Sequence, residues 1–375
     1  MIYFLILITI IYLALITSLI IGYNKVETTY IKNTIPKNTF SIVIPFRNEA
    51  HNLPNLLQAL AIINYPKNLY EIILVNDYST DNFEPIITHF KMKYPSVNLK
   101  LIDNHIKSNS PKKDAITTAI TQSNYEWIVT TDADCIAPTN WLLAFNQYIL
   151  EKKPLFISAP VKFIEQHSFL FYFQNLNFIS LVGSTIGGFG IKRPFMCNGA
   201  NLCYNKFTFN KVKGFEGNSE IPSGDDVFLL EKIHTLFPHQ TLYLKSTDSI
   251  VQTNAENNLK SFFNQQIRWA SKTTAYKSNF TKVIGIIIFL LNFLLVSLLI
   301  TTIMKPYIWK YLFVVFFLKL CIDFILIYKT SLFLKVRKSL KYFPIISLLH
   351  PFFVVFTGVF SLFKNYEWKG RVFKY

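Results

Sequence analysis

Four long apolar stretches bracket a middle region of different texture, and this segregation constrains the fold more than any other feature of the chain. Residues 2–21 carry no charge, and about 20 apolar residues are enough to cross a bilayer. Three further apolar blocks, 283–304, 307–328 and 343–363, lie toward the C-terminal end. Backbone polar groups in hydrocarbon must be satisfied within the chain, so such stretches are confined to helices. Composition agrees: hydrophobic residues make up 51% of the 375 and Phe alone counts 36, which is high for a soluble protein.

A cleavable leader wants a basic start and a small-residue cleavage site. Met1-Ile2-Tyr3 supplies no base and Ser18-Leu19-Ile20 is a poor site. Residues 1–23 therefore read as an uncleaved anchor, followed by a linker over 24–39. Residues 281–375 read as a membrane region with a basic tail (Lys364, Lys369, Arg371, Lys374). The basic loop Lys335-Val336-Arg337-Lys338 with Lys341 is expected on the cytosolic side. That places the middle region in the cytosol and the N-terminus outside. The last block has His350-Pro351 at its centre, which predicts a broken or re-entrant segment rather than a full span.

The middle region, 40–280, reads as one α/β domain. Strands are predicted at 40–45, 70–75, 97–102, 127–131 and 155–161. Helices are predicted over 49–63 and 81–94, with Asn48 and Asp81 as caps, and over 112–121, from Asp225 and over 259–272. Strands alternating with helices imply a mostly parallel sheet. The aromatic, nearly uncharged segment 169–186 reads as a core helix in preference to one lying on the bilayer.

Net charge is +16, from 38 Lys+Arg against 22 Asp+Glu. Such an excess suits nucleic acid, anionic lipid or an anionic substrate. No zinc-finger, RNP-type or basic-zipper pattern is present, so no nucleic-acid partner is expected. The cysteines (Cys135, Cys197, Cys203 and Cys321) show no CxxC pairing and read as free thiols.

Several chemistry-bearing residues fall at predicted strand ends, others at helix starts. Asp132-Ala133-Asp134 follows the apolar run Trp127-Ile128-Val129. In open α/β sheets ligands bind beyond the carboxyl ends of the strands. Paired hard-oxygen ligands there suit Mg²⁺ or Mn²⁺ carrying a diphosphate, although Asp-x-Asp by itself is also a common turn. Asp77 ends the second strand, where a carboxylate can accept from a nucleobase N–H; an Asx turn is the plain alternative. Pro45-Phe46-Arg47-Asn48-Glu49 leaves the first strand, where Arg47 or Glu49 can reach a nucleotide, or the run simply starts a helix capped by Asn48. Lys112 opens a helix, a setting that favours anions but also fits a solvated lysine. Asp225-Asp226 follows the turn Pro222-Ser223-Gly224. These acids can serve as a base or complement a helix dipole. In Gln265-Gln266-Ile267-Arg268-Trp269, Arg268 can bridge two phosphate oxygens, and Trp269 can floor an acceptor site or anchor an interfacial helix.

Taken together, these sites resemble membrane-bound family 2 glycosyltransferases with the GT-A fold, the superfamily that includes cellulose synthase, hyaluronan synthase and ceramide glucosyltransferase. The resemblance covers roughly 40–270 plus flanking helices, with the parts in the family's order: Asp77, Lys112-x-x-Ala115, Asp132-x-Asp134, Asp225-Asp226 and Gln265-Gln266-x-Arg268-Trp269. It implies that Asp77, Lys112, Asp132, Arg268, Pro45 and Glu49 bind donor. It also implies that Asp134, with Asp132, holds Mg²⁺ or Mn²⁺, and that Asp226, beside Asp225, is the base. Gln265, Gln266 and Trp269 would hold diphosphate and acceptor. Trp368-Lys369-Gly370-Arg371 is similar to an ending of lipid-modifying relatives. Two positions depart from the pattern: Asn76 stands where a first Asp is frequent, and Pro111 stands where a Gly is common.

The expectation is therefore an inverting, single-displacement transfer of one sugar from a nucleotide-diphospho-sugar, a UDP-sugar on the resemblance, to a hydroxyl of a membrane lipid or lipid-linked acceptor. The expected location is the cytoplasmic membrane of a bacterium. Two alternatives are a processive polysaccharide synthase, for which the membrane segments look sparse, and a catalytically inactive scaffold that keeps the fold.

Overall fold

The computed structural model describes residues 2–32, 34–363, 366–368 and 371–373. By contacts the chain divides into two compact units, one made of 27–164 and 196–254, the other of 1–26, 165–195 and 255–375. Of the stretch 40–280, residues 165–195 and those from Ala255 onward thus cluster with the apolar helices.

The first unit is built on a seven-stranded sheet. Its strands are β1 (Phe40–Phe46), β2 (Tyr70–Asn76), β3 (Leu99–Asp103), β4 (Trp127–Thr130), β5 (Phe156–Ser158), β7 (Leu202–Asn205) and β8 (Thr241–Tyr243), in the order β3-β2-β1-β4-β7-β5-β8. β6 (Val161–Phe163) pairs with β9 (Val251–Thr253) in a separate parallel ladder. In the large sheet only β7 runs against its neighbours. β1, β2 and β4 are runs of β-branched and aromatic residues with almost every side chain buried, the pattern of a sheet covered on both faces. The helices Leu53–Ala61, Pro111–Gln122 and Trp141–Lys152 turn apolar faces inward.

A buried acid locks one end of this sheet. Glu71 is inaccessible to solvent and accepts from Ser41 Oγ (2.7 Å), Asn124 N (2.6 Å) and Lys100 Nζ (2.6 Å), joining β1, β2, β3 and the chain before β4.

Three local expectations are corrected. The helix expected from residue 49 begins at Leu53, with Asn52 at its cap position, because Asn48 adopts a left-handed conformation (φ 53°) and binds the next strand's loop instead. Asp81 does not cap the following helix, which starts at Glu84; it accepts from Ala50 N at 2.6 Å. The single strand expected over 155–161 is two strands in different ladders, β5 and β6, broken at Ala159-Pro160. Proline has no N–H to continue a ladder.

The second unit is helical. Among the described residues, four helical segments are long and apolar enough to cross a membrane: Tyr3–Lys25, Asn279–Met304, Pro306–Leu334 and Arg337–Phe360. Phe169–Gly190 buries most of its length among them. It crosses Ile2–Lys25 so closely that a Cβ at Gly190 would collide with the Gly22 carbonyl. Charge inside one apolar segment is paired: Lys319 and Asp323, one turn apart, meet at 2.6 Å, and Tyr12 Oη donates to the other Asp323 oxygen at 2.6 Å. Ionisable groups inside apolar helices are costly and commonly pair in this way. The break expected at His350-Pro351 is absent, since Phe343–Phe360 runs through Pro351 as one helix. Neighbouring helices re-satisfy the backbone around a proline inside a bundle. Of the C-terminal motif and basic tail, Lys364, Lys369, Gly370 and Lys374 lie outside the described residues.

Candidate active site

β1, β2 and β4 are parallel, so the loops after them leave the sheet on the same side. The first two loops brace each other. Arg47 Nη1 donates to the carbonyls of Asp77 (2.7 Å) and Tyr78 (2.8 Å), Asn48 N donates to Ser79 Oγ (3.0 Å), and Thr80 N donates to Asn48 Oδ1 (2.8 Å). Asn48 and Tyr78 hold left-handed backbone at φ 53° and 55°, a strained setting that clusters at functional sites. Pro45 lies within β1, opposite Val75. Glu49 is buried; its carboxylate accepts from Asn52 Nδ2 at 2.6 Å and its carbonyl from Leu53 N at 3.0 Å.

Asp77 is buried, and its Oδ1 accepts from Asn104 Nδ2 at 2.8 Å. The same amide donates to the Pro111 carbonyl at 3.0 Å. Asn104 thereby ties the β2 acid to the first residue of the helix Pro111–Gln122. Pro111 in place of glycine costs this helix nothing, because the first helical position needs no N–H and its φ suits proline.

Lys112, one residue on, is the hub. Its Nζ lies 2.7 Å from Asp132 Oδ1 and 3.4 Å from Asp225 Oδ2. Burial pulls the ammonium toward neutrality, but Asp132, Asp225 and Asp226 together overcome it and hold its pKa above the ordinary lysine value. Lys112 is therefore a fixed positive charge at any physiological pH. Asp225 and Asp226 open the helix Asp225–Leu236 behind Gly224, which takes a left-handed conformation (φ 80°). Asp226 is held by two backbone donors, Val227 N to Oδ1 (2.8 Å) and Gly199 N to Oδ2 (3.2 Å). Gly199 is itself fixed from the sheet, its carbonyl accepting from Thr130 Oγ1 at 3.0 Å.

At its carboxylate Asp134 accepts long contacts from Thr253 Oγ1 (3.3 Å) and Cys135 Sγ (3.5 Å). Burial, and then the like charge of Asp132, push its pKa up. Among the described residues no three His, Cys, Asp or Glu side chains could hold a metal ion by themselves. Mg²⁺ commonly takes one or two carboxylates and completes its shell with water and substrate phosphate. Asp132 and Asp134 fit that role: both are hard-oxygen donors, and a cation would offset the burial and repulsion that Asp134 now carries.

The structure thus brings Lys112, Asp132, Asp225 and Asp226 together and links Asp77 to the same helix start. Gln265, Gln266, Arg268 and Trp269 belong to the helical unit. There Gln265 Nε2 donates to Glu256 Oε1 (2.9 Å), Asn177 Nδ2 donates to Gln266 Oε1 (3.2 Å), Ser271 Oγ donates to the Arg268 carbonyl (2.9 Å), and the Trp269 ring lies 6.4 Å from that of Phe178. Sequence reasoning missed Asn104, Gly199 and Thr253. The one available signal was Asn198-Gly199-Ala200-Asn201, small and polar residues between two cysteines in an otherwise apolar run.

Parts of this chain are similar to known proteins. The sequence pattern described as Glycosyl transferase family 2 matches residues 41–211. A poly-beta-1,6-N-acetyl-D-glucosamine synthase of Staphylococcus epidermidis is 25% identical over 61% of this chain and 53% of its own length. A dolichyl-phosphate beta-glucosyltransferase of Dictyostelium discoideum is 32% identical over 28% of this chain and 33% of its own. The chain thus spans about half or less of the length of the curated relatives it matches. In fold, it is similar to the mannosyltransferase PcManGT from Pyrobaculum calidifontis, solved with GDP-Man and Mn²⁺: TM-score 0.56 at 13% identity, with 96% of each chain covered. Residues 41–211 thus carry a Glycosyl transferase family 2 domain, on a mostly parallel, GT-A-like sheet with Asp77 and Asp132 just past the ends of β2 and β4.

Proposed function

We propose that this chain transfers one sugar from a nucleoside-diphospho-sugar, with UDP as the expected nucleotide, to a hydroxyl of a membrane lipid or lipid-linked acceptor, inverting the anomeric carbon. The catalytic domain is built from 27–164 and 196–254 and faces the cytosol. The observation that carries this reading is the convergence of Asp132, Asp225 and Asp226, from distant parts of the sequence, around the ammonium of Lys112.

Asp77 receives the base of the nucleotide, in a buried position that excludes water. Lys112 binds the diphosphate. Asp132 and Asp134 hold Mg²⁺ or Mn²⁺, which when bound offsets the charge that builds on the departing diphosphate. Asp226 takes the proton from the acceptor hydroxyl. Its two backbone donors fix the carboxylate before substrate arrives, so little reorganisation is needed in the transition state. Four helices able to cross a membrane support an acceptor presented by the bilayer.

A processive polysaccharide synthase is the second reading, favoured by the likeness to the Staphylococcus epidermidis synthase over 61% of this chain. One assay separates the two. Membranes containing the protein are incubated with radiolabelled UDP- and GDP-sugars and Mg²⁺ or Mn²⁺, then extracted with organic solvent. Label in an extractable glycolipid, lost in Asp226→Asn, supports the first reading; label held only in high polymer supports the second. Turnover of every donor unchanged in Asp226→Asn would sink both.

A further inference from the structure

Lys112 and Lys113 are neighbours on one helix turn, yet the chain uses them differently. Lys113 is among the largest fully buried side chains, 1% exposed. Its Nζ donates to the carbonyls of Asn218 (2.7 Å) and Ile221 (2.9 Å) and lies 4.7 Å from the centroid of the Phe228 ring. Asn218 and Ile221 belong to the segment leading into Gly224, Asp225 and Asp226, and Phe228 sits on the helix those acids open. A second contact binds the same segment from the same side: Asn109 Nδ2 to Glu220 Oε2 at 2.5 Å.

Burying an ammonium is costly unless its hydrogens are used and its charge is compensated. A methionine or leucine would fill this volume without that cost, so filling space does not explain the residue. What an ammonium does that an apolar side chain cannot is grip two backbone carbonyls and an aromatic face at once. The segment it grips needs holding. It carries left-handed backbone at Lys213 (φ 56°), Gly214 (φ 44°), Gly217 (φ 82°) and Gly224 (φ 80°) and has no regular structure between the helices Lys206–Lys211 and Asp225–Leu236.

We propose that Lys113 is a positioning residue for the acid pair. It clamps the 218–221 backbone and Phe228 to the helix that presents Lys112, so that Asp225 and Asp226 stand at a fixed distance from Lys112 and Asp132. Lys112 thus binds the acids' side chains, and Lys113 sets the backbone that carries them. Lys113 itself touches neither donor nor acceptor. The inference rests on the active-site reading above only for the meaning of the acid pair; the clamp itself is testable without turnover.

The test is hydrogen–deuterium exchange on the full-length protein in detergent, with Lys113→Met and Lys113→Arg beside wild type. Lys113→Met keeps the stem and removes the ammonium. Amides over 216–228 are expected to exchange at least tenfold faster in it, with β1 and β4 unchanged, and Lys113→Arg is expected to restore most of the protection. Unchanged exchange over 216–228 overturns the clamp. Acceleration spread across the whole sheet overturns it too, since Lys113 would then be a general stability residue. A second measurement reads the consequence: sugar transfer per UDP-binding site, with site number taken from calorimetry, is expected to fall ten- to a hundredfold in Lys113→Met while UDP affinity stays within threefold. Counting sites removes any unfolded fraction from the comparison. An unaltered rate per site overturns the positioning role. If wild type transfers no sugar from any donor, the functional reading fails while the exchange result still decides the clamp.

Discussion

The Nζ of Lys112 lies 2.7 Å from Oδ1 of Asp132, although 19 residues and a whole strand separate them. The ammonium also reaches Asp225, so a single cation holds acids from two loops. When a diphosphate binds, the same cation is placed to trade a carboxylate for a phosphate oxygen. Lys112→Met should therefore lower transfer by about 10²–10³-fold, while Lys112→Arg keeps the charge and recovers part of the rate. Initial rates at saturating donor check this, and a Lys112→Met rate within threefold of wild type would refute it.

Gly199 sits where a side chain would intrude on the acids. A Cβ there would lie 3.1 Å from Asp225 Oδ2, 3.5 Å from Asp226 Cβ and 3.6 Å from Lys112 Nζ. Gly199→Ala should fold normally, since no steric demand reaches the sheet, but displace the acid pair by a few tenths of an ångström. Transfer is expected to fall about tenfold or more with the melting temperature little changed, as followed by activity and thermal unfolding in parallel.

Glu71 carries a stability prediction remote from the acids. Its carboxylate satisfies Ser41, Asn124 and Lys100 from a fully buried position. Glu71→Ala would leave these donors unpaired and is expected to cost about 3 kcal/mol. Denaturant unfolding measures the loss; a cost near zero would mean that water replaces the carboxylate.

His234 gives the domain a pH dependence. Burial lowers its pKa below the ordinary histidine value, and its Nδ1 is buried without a partner. The unfolded chain therefore takes up the proton more readily than the folded one. The stability contributed by neutral His234 is complete above the unfolded pKa of about 6.5 and is lost as pH falls through the lower folded value. Unfolding measured between pH 7.5 and 5 should show this decline, and His234→Gln should flatten it. An equal decline in the variant would assign it to other groups.

Much of the first unit was legible in advance because its signals are local. Apolar runs bounded by turns marked β1 to β4, and the Gly224 turn marked the start of the acid helix. Where the reading slipped, a tertiary contact had outbid a local preference. Asn48 and Asp81 look like caps, but each spends its side chain on the other's loop. Pro351 looks like a break, but helix packing carries the backbone through it.

By itself the sequence determined the division into apolar blocks and an α/β region, the alternation that makes the sheet mostly parallel, and the order of the acidic and basic motifs along the chain. These follow from side-chain periodicity and composition, which act over a few residues. Only the tertiary structure decided which groups meet: Asn104 with Asp77, Gly199 with Asp226, Thr253 with Asp134, Lys113 with the carbonyls of Asn218 and Ile221. Three of those partners, the Gly199 N–H and the carbonyls of Asn218 and Ile221, are backbone groups that almost any residue would carry. All of them meet across strand order and loop path, and no local pattern of side chains records that.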